Sequence, residues 1–508
     1  MKYVLEHLYL EMHQGENALK TQIAKRLGIS ERNFRYEIME REFVLESNHH
    51  GVAYRVVVDT AEFIRDTSIH FLPTVSSFEI PQAKLKRQPL VVGAGIAGLF
   101  CAYVLALAGA CPVVIDRGKN LDERLADQAL FNSRGRFDPQ SHYRFGLGGM
   151  LALTGFRITR DDSLLSKRWV LEIIEKFGIV LPRNHEIFLS PAQVQTLVRG
   201  LVREIVGHGG QFRFQTELIG ARSFFGKIKE ARVKVNGSED VIPVSTIILC
   251  GGDNNPVALH RLGLASSTPA MNSVSFFLEL PMGEIQRAIY GSPLVAAKMP
   301  PVFKREKGKT KAGMQTYVSF YYPNTAPVFV AKNPGEMNLA LSLANPGVQQ
   351  GAVVVTLCPK GKYLSKDEAI ALTRIGFRRA MPLLCPGESV KDYLAEKEPL
   401  RLGSIRPAYA KGVYLANFRS LFGGSVGEAL SETLAKLVKS DPALADGRAL
   451  LLGPAIGFDN GWGRLTDEKG RTALKGVFMA APAGNYDYDG PTTAVAGIQA
   501  AFSVLEAK

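Results

Sequence analysis

Cysteine is scarce in this chain, and the five that occur are scattered at positions 101, 111, 250, 358 and 385. They form no C-x-x-C pair, and no histidines accompany them at the spacing of metal ligands. The sequence therefore predicts neither a disulfide scaffold nor a metal site, and a reducing compartment is the simplest interpretation.

Long uncharged runs are also rare. One run, residues 98–115, is long enough to imitate a membrane span. It contains Gly109 and Pro112 and follows a glycine-rich turn, so it predicts a buried helix that leads into a buried strand. Residues 1–7 include an acid and a histidine before the apolar core of a signal peptide could form. We expect a cytoplasmic protein without a membrane span.

Negative charge is in deficit overall, but not at the N-terminus. Of the total charge of +13, residues 1–80 contribute −3, from nine Lys and Arg against twelve Asp and Glu, so residues 81–508 carry +16. The densest basic segment, residues 298–311, contains two prolines and a glycine and predicts an exposed loop. A solvated loop is the simpler interpretation; the alternative is a surface that attracts an anionic substrate, such as a small molecule, or an anionic partner.

The first 66 residues predict a small α+β unit with a helix over Ala18–Leu27 and strands near 35–45 and 52–58. Residues 22–30 also imitate the start of a helix-turn-helix, which would make the unit a DNA reader. Its acidic balance argues against this alternative, because DNA binding requires positive charge against phosphate. We expect no DNA binding.

The rest of the chain divides by pattern. Residues 67–88 contain prolines and a basic run and predict a linker. Residues 89–269 and 396–508 alternate strands and helices, including helices near 164–177 and 192–206 and strands at 212–219 and 245–250. Residues 270–395 are rich in β-type runs. This order predicts an α/β domain built from two distant pieces, with a strand-rich insert between them.

The motif that carries the functional prediction begins at Pro89, where an apolar strand runs into G-x-G-x-x-G and an apolar helix. Gly93 permits a tight turn, Gly95 allows a close approach of the backbone to a pyrophosphate, and Gly98 allows close packing of helix and strand. Ile96 and Ala97 begin the helix, whose N-terminus favours anions. A second strand ends in Asp116, at the spacing where a carboxylate binds a ribose diol and disfavours the 2′-phosphate of NADP.

FAD is favoured over NAD by segments far from this motif. Arg117 leads towards Gly148 and Gly149, a second glycine pair that approaches the pyrophosphate from the other side. Near the C-terminus, Gly484 ends a strand, and Pro491 opens a final helix whose N-terminus, with Gly490 and Thr492, is expected at the flavin pyrimidine. The predicted fold is α/β: a Rossmann-type FAD-binding domain of discontinuous segments, an inserted substrate domain and a small N-terminal α+β domain.

These features resemble a family of uncharacterised bacterial FAD-dependent dehydrogenases with a small N-terminal extension. The resemblance rests on residues 54–59, the glycine motif, residues 138–146 and residues 496–498. It implies that Leu218 offers backbone groups to the adenine and that Gly251 follows a strand under the cofactor. The chain departs from the family pattern at 145–158 and 481–491, where the usual glutamates are absent, so the resemblance implies no substrate.

Flavin chemistry requires a group that handles one proton, and the candidates are His142, Tyr486 and Asp487. Asp487 also fits a turn position equally well. No second G-x-G-x-x-G with strand context occurs. The sequence thus predicts an FAD-dependent oxidoreductase of dehydrogenase type. The alternatives are a flavin-dependent RNA- or tRNA-modifying enzyme, suggested by the basic body, and a non-catalytic FAD-binding regulator or assembly protein, suggested by the N-terminal unit.

Overall fold

A computed structural model gives the architecture of the chain. It describes residues 1–11, 14–15, 17–46, 49–66, 68–72, 79–83, 85–134, 138–141, 145–149, 151–159, 165–181, 186–251, 255–264, 271–281, 283–285, 287, 304–321, 327–330, 339–342, 350–359, 384–402, 405, 407, 413–445, 448–458, 465–480 and 490–507.

The strands are β1 (Lys2–Glu11), β2 (Phe34–Glu46), β3 (His49–Thr60), β4 (His70–Leu72), β5 (Leu90–Val92), β6 (Val113–Ile115), β7 (Phe156–Thr159), β8 (Glu186–Leu189), β9 (Gln211–Arg213), β10 (Thr216–Phe224), β11 (Lys227–Val235), β12 (Ser238–Pro243), β13 (Ile247–Leu249), β14 (Met271–Pro281), β15 (Lys304–Lys309), β16 (Met314–Tyr321), β17 (Pro327–Val330), β18 (Leu339–Ser342), β19 (Gln350–Pro359), β20 (Cys385–Ser389), β21 (Val413–Leu415), β22 (Leu450–Phe458) and β23 (Val477–Met479).

The α-helices are α1 (Asn17–Leu27), α2 (Ile96–Leu107), α3 (Leu121–Arg134), α4 (Leu151–Thr154), α5 (Leu165–Lys176), α6 (Pro191–Gly207), α7 (Asn255–Arg261), α8 (Val390–Leu394), α9 (Phe418–Leu421), α10 (Gly424–Ser440) and α11 (Gly490–Glu506). Short 3₁₀ turns cover Pro139–Ser141 and Pro442–Ala445. No helix within the described ranges combines the length and the apolar character needed to cross a bilayer.

The N-terminal unit is an antiparallel sheet in the order β2-β3-β1-β4, with α1 packed on one face. Leu19, Ile23 and Leu27 recur at helical spacing and are buried against the sheet. Because α1 is followed by β2, residues 17–46 contain no second helix of a helix-turn-helix. β4 lies within the predicted linker and pairs with β1, so the sheet extends past residue 66.

A five-stranded parallel sheet forms the centre of the Rossmann-type domain. Its order is β23-β13-β5-β6-β9. When the strands are numbered along the chain from β5 and the sheet is followed from β9 to β23, the order is 3-2-1-4-5, the arrangement of a dinucleotide-binding sheet. The order in which the chain adds strands reverses between β5 and β13, and ligands of such sheets bind beyond the carboxyl ends of the strands at this switch point.

Both faces of the parallel sheet are covered. Alternate residues such as Val91 and Val114 pack under α2, α5, α6 and α11, while Leu90, Ile115 and Leu249 face the antiparallel sheet β10-β11-β12. This explains why the strands read as continuous apolar runs, since buried parallel strands need apolar residues on both sides.

The predicted single strand over 212–219 is wrong. The chain forms β9 in the parallel sheet and then β10 in the antiparallel one. Gln215 separates them with a φ of +53°, and its N–H donates to the Gly118 carbonyl at 2.9 Å. One residue in the left-handed region redirects the chain, and the apolar pattern on either side does not reveal it.

The strand-rich region forms a seven-stranded sheet in the order β15-β16-β19-β14-β22-β20-β21. Its core lies between the sheet and α8, α9 and α10, with Phe276, Phe418 and Phe422 in mutual contact. β21 and β22 lie beyond residue 395, the predicted end of the insert. The strand pairing of this sheet therefore extends past that boundary, and the domain limits stay predictions.

Glu388 is a buried acid of this sheet, with a relative exposure of 1%. Burial raises its pKa to about 7, and its carboxylate accepts the N–H of Phe418 at the start of α9. An acid whose pKa is higher in the folded state contributes stability that is complete below the unfolded pKa and lost as the pH rises through the folded value.

We therefore expect the free energy of unfolding to fall by about 3 kcal/mol between the unfolded and folded pKa values of Glu388. Glu388→Gln should remove most of that pH dependence. Denaturant titrations of both proteins near pH 5 and near pH 8 measure the difference. Parallel pH profiles for the two proteins would show that Glu388 titrates normally.

Candidate functional site

The switch point of the parallel sheet is built by glycine. Gly93 follows β5 with a φ of +107°, and a Cβ built there would lie 2.8 Å from the Cys250 carbonyl oxygen and 2.9 Å from the Gly251 Cα. A side chain at residue 93 would therefore separate β5 from β13 at their carboxyl ends. The turn holds its place because the Gly93 N–H donates to the Ile115 carbonyl at 2.8 Å.

The next two motif glycines differ in what surrounds them. A Cβ on Gly98 would lie 1.8 Å from the Gly93 carbonyl oxygen, so this glycine permits the packing of α2 on the turn. No atom of the described residues lies within 4 Å of a Cβ built on Gly95. Gly95 is the N-cap of α2 and has no side chain to cap the helix. The first-turn amides, including those of Ile96 and Ala97, thus begin a helix beside open space.

A second loop closes on this turn from the side of α3. The Gly148 N–H donates to the Ala94 carbonyl at 2.8 Å. Gly149 has a φ of +58°, and a Cβ built on it would lie 3.3 Å from the Gly95 Cα. We call Gly93, Gly95, Gly98, Gly148 and Gly149 the glycine cradle, because two backbone loops without side chains face each other there.

Asp116 joins the two loops. Its carboxylate is 5% exposed and accepts three backbone N–H groups, from Ala94 at 2.8 Å, Gly118 at 2.8 Å and Gly146 at 2.6 Å. A charged acceptor with several amide donors is a strong anchor. The sequence assigned Asp116 to a ribose; the structure adds a structural role, since one carboxylate fixes three segments of the cradle.

Arg124 is a site residue that the sequence reasoning missed. The residue is 1% exposed. Its guanidinium donates one hydrogen bond to the Leu147 carbonyl and a second, at 2.9 Å, to the Gly149 carbonyl. A Cβ on Gly146 would lie 2.6 Å from its Cδ. The signal in the sequence is weak: Arg124 follows the buried Leu121 by three residues on one helix face, where an arginine is normally expected in solvent.

A lysine and two aspartates attach residues 138–141 to α3. The Lys119 ammonium lies 2.7 Å from both Asp127 and Asp138, and the Ser141 hydroxyl donates to Asp127. Burial opposes the charge of Lys119, but its hydrogen bonds to the two carboxylates prevail and raise its pKa. This network fixes the segment that directly precedes position 142.

Two other predicted site residues, Arg117 and Leu218, lie close to Glu217. The Arg117 guanidinium lies 3.7 Å from the centre of the Phe145 ring and 3.9 Å from the Glu217 carboxylate. Arg261 pairs with Glu217 at 2.8 Å and donates to the Leu218 carbonyl at 2.7 Å. The Leu218 carbonyl, which the family resemblance assigns to adenine, therefore already accepts one hydrogen bond.

The final helix packs on the start of α2. A Cβ on Gly497 would lie 2.0 Å from the Ala97 carbonyl oxygen, so α11 and α2 cross with their backbones in contact. Gly490 is buried and lies about 10 Å along the helix axis from this contact. Thr492 follows in the first turn. The helix predicted to open at Pro491 is present, with its first turn starting one residue earlier.

Cys250 has a neighbour that its sequence position does not suggest. Its thiol lies in hydrogen-bonding contact with Cys101, and this hydrogen bond together with burial raises the pKa of Cys101 well above its usual range. Both cysteines are buried, and neither is in a disulfide. A raised pKa disfavours the reactive thiolate of Cys101.

The structure thus brings together Gly93, Gly95, Gly98, Asp116, Gly148, Gly149 and Gly251. His142, Gly484, Tyr486 and Asp487 lie outside the described residues. Within the described part of the chain, no group of three or more His, Cys, Asp and Glu side chains is placed to hold a metal ion.

Comparison with known proteins agrees with the fold. The model of a family described as an NAD(P)-binding Rossmann-like domain matches residues 91–147, which cover the glycine motif, Asp116 and the start of the second loop. The protein is therefore an α/β protein with a Rossmann-like domain.

Among curated proteins, an uncharacterized protein of Clostridium beijerinckii is 25% identical over 485 residues, which cover 88% of each chain. Among solved structures, L-proline dehydrogenase from P. horikoshii is 12% identical with a TM-score of 0.36, over 84% of this chain and 95% of that one. A geranylgeranyl bacteriochlorophyll reductase-like protein from Thermoplasma acidophilum is 10% identical with a TM-score of 0.37, over 83% and 78% of the two chains.

Proposed function

We propose that this protein is an FAD-dependent oxidoreductase that transfers hydride between a small-molecule substrate and bound FAD. The observation that carries the proposal is the open space at Gly95, which faces Gly149 at the switch point of a 3-2-1-4-5 sheet. Backbone amides at the start of α2, next to a second loop without side chains, suit a diphosphate.

The choice of FAD over NAD rests on the two additional elements at the cradle. The loop with Gly148 and Gly149 is held by Asp116 and Arg124, and α11 is fixed against the first turn of α2 through Gly497. A helix N-terminus near the cofactor would stabilise negative charge on it. The buried charge of Asp116 disfavours a 2′-phosphate nearby, which argues against NADP.

The roles of the chain's own residues follow from these contacts. The amides of Ile96, Ala97 and Gly149 would bind the diphosphate, and Arg117, Leu218 and Gly251 would border the adenosine and the strand ends. Bound FAD supplies the hydride chemistry. His142 and Asp487 stay the proposed proton carriers together with Tyr486, because each is within a few residues of a described segment of the site.

The test is the identity of the bound cofactor and what reduces it. The purified full chain should be yellow and release FAD on denaturation, and a substrate screen without oxygen should find compounds that bleach it. Copurifying RNA would favour the RNA-modifying alternative. Bound FAD that no compound reduces would favour a regulator. A colourless protein that takes up no added FAD contradicts the proposal.

A further inference from the structure

The hairpin between β10 and β11 ends in an unusual turn. Phe224 pairs with Lys227, so the connection consists of Phe225 and Gly226 alone. Both have positive φ, +48° and +69°. Two-residue hairpin loops with positive φ at both positions are type I′ turns, which favour Asn-Gly or Asp-Gly.

The next hairpin of the same sheet contains the favoured sequence. Val235 pairs with Ser238, and the loop is Asn236-Gly237 with φ values of +49° and +94°. The two turns share one geometry, but the first has phenylalanine where the second has asparagine. A bulky residue in the left-handed region is a conformational outlier. Local folding preference therefore does not account for Phe225.

The two phenylalanines at this turn are exposed. Phe224 is 62% and Phe225 is 89% accessible to solvent. Their ring centres are 4.4 Å apart at an interplanar angle of 69°, so the rings contact each other rather than the body of the domain. They form one apolar projection at the end of the sheet, which we call the aromatic tip.

Positive charge surrounds the aromatic tip. Exposed basic residues lie on the hairpin strands or beside β11, namely Lys227, Lys229, Arg87 and Lys475, together with Arg222 on β10. Lys227 forms a β-bridge with Lys475, and Arg87 donates to the Lys229 carbonyl at 2.6 Å. The acid beside them, Glu230, is paired with Arg222 at 3.1 Å. Exposed aromatic rings within a basic surface suit a binding partner that combines a negatively charged surface with an apolar interior.

We propose that the aromatic tip binds an anionic phospholipid bilayer as a peripheral anchor. Phe224 and Phe225 enter the interface between headgroups and acyl chains, and the surrounding lysines lie at the lipid phosphates. A protein partner fits less well, because one ring on the loop and one at the end of β10 cover far less than the roughly 800 Å² per partner of a stable protein interface. The anchor lies about 23 Å along β10 from Leu218, away from the glycine cradle.

Phe225→Asn is the direct test. It gives the first hairpin the Asn-Gly loop of the second, so the fold and the melting temperature should be kept or improved. In sedimentation with phosphatidylcholine vesicles that contain phosphatidylserine, the wild-type full chain should bind, and salt should weaken binding. Phe225→Asn should lose about tenfold or more in affinity, the order expected for withdrawing a buried aromatic side chain.

Matched lysines on β11 provide the electrostatic control. Lys227→Gln at the tip should lose about fivefold in affinity for the anionic vesicles. Lys234→Gln, at the other end of the same strand, removes the same charge about 23 Å away and should change little. Phe224→Thr, at a strand position, repeats the test should Phe225→Asn fold poorly.

Two results would overturn the proposal. One is wild-type protein that binds vesicles no better with phosphatidylserine than without it. The other is unchanged vesicle binding by the folded phenylalanine variants, which would assign any membrane affinity to another surface. A protein captured through the aromatic tip in the absence of vesicle binding would also contradict a lipid partner.

Discussion

Gly95→Val should give a folded protein that has lost its cofactor. Gly95 has a φ of −71° and a ψ of −177°, an extended conformation that valine adopts without strain. Because no atom in the described part of the chain lies within 4 Å of a Cβ there, those residues leave room for the side chain. The methyl groups would instead enter the open space beside Gly95 that we assign to the diphosphate.

The expected loss is large. If two hydrogen bonds from amides to a charged oxygen are broken, at about 1.5–3 kcal/mol each, FAD affinity falls by about a hundredfold or more. Bound flavin per chain after purification, and titration of the apoprotein with FAD, measure this. Circular dichroism and the melting temperature of the apoprotein should match those of wild-type apoprotein.

Two other glycines make the comparison specific. Gly207→Val introduces the same side chain at the exposed end of α6, where a Cβ also meets nothing within 4 Å, and should keep the flavin. Gly98→Ala should instead damage folding, because its Cβ would lie 1.8 Å from the Gly93 oxygen. Normal FAD content in Gly95→Val would place the diphosphate elsewhere.

The sequence was sufficient for the local part of this site. The spacing of Gly93, Gly95 and Gly98 after an apolar strand predicts a strand, a turn and a helix from adjacent residues, and the structure has all three. The sequence places Asp116 at a strand end, but it does not identify the three backbone N–H groups that donate to its carboxylate. Those donors come from Ala94, Gly118 and Gly146, and only the folded chain brings them together.

The sequence does not predict which distant strands pair with each other. β22 joins β14 across more than 150 residues of chain, and no local pattern encodes that partner. The antiparallel sheet β10-β11-β12 was partly readable, since Asn236-Gly237 is a strong hairpin signal between apolar runs. The other hairpin lacks that signal because it has Phe225 where asparagine is expected. The same residue is the basis of the proposed membrane contact.

Arg124→Met should weaken both the fold and cofactor binding. Methionine fills much of the same volume but donates no hydrogen bonds, so it leaves the buried carbonyls of Leu147 and Gly149 without the donor they now have. An abandoned buried acceptor costs about 1–3 kcal/mol. We expect the free energy of unfolding to fall by about 2–4 kcal/mol, with reduced flavin content because Gly149 faces Gly95.

Arg199→Met is the matched control, because it removes an arginine whose ion pair with Asp122, at 2.6 Å, is solvent-exposed. Such pairs contribute about 0–1 kcal/mol, so this variant should resemble wild type. Arg124→Lys keeps one donor group and should recover part of the flavin content. Denaturant unfolding of the apoprotein measures the structural loss separately from FAD titration. If Arg124→Met binds FAD normally and unfolds at the wild-type denaturant concentration, the guanidinium is not what holds the second glycine loop against Gly95. The hydrogen bonds of Asp116 and the one from Gly148 to Ala94 must then join the two sides of the cradle.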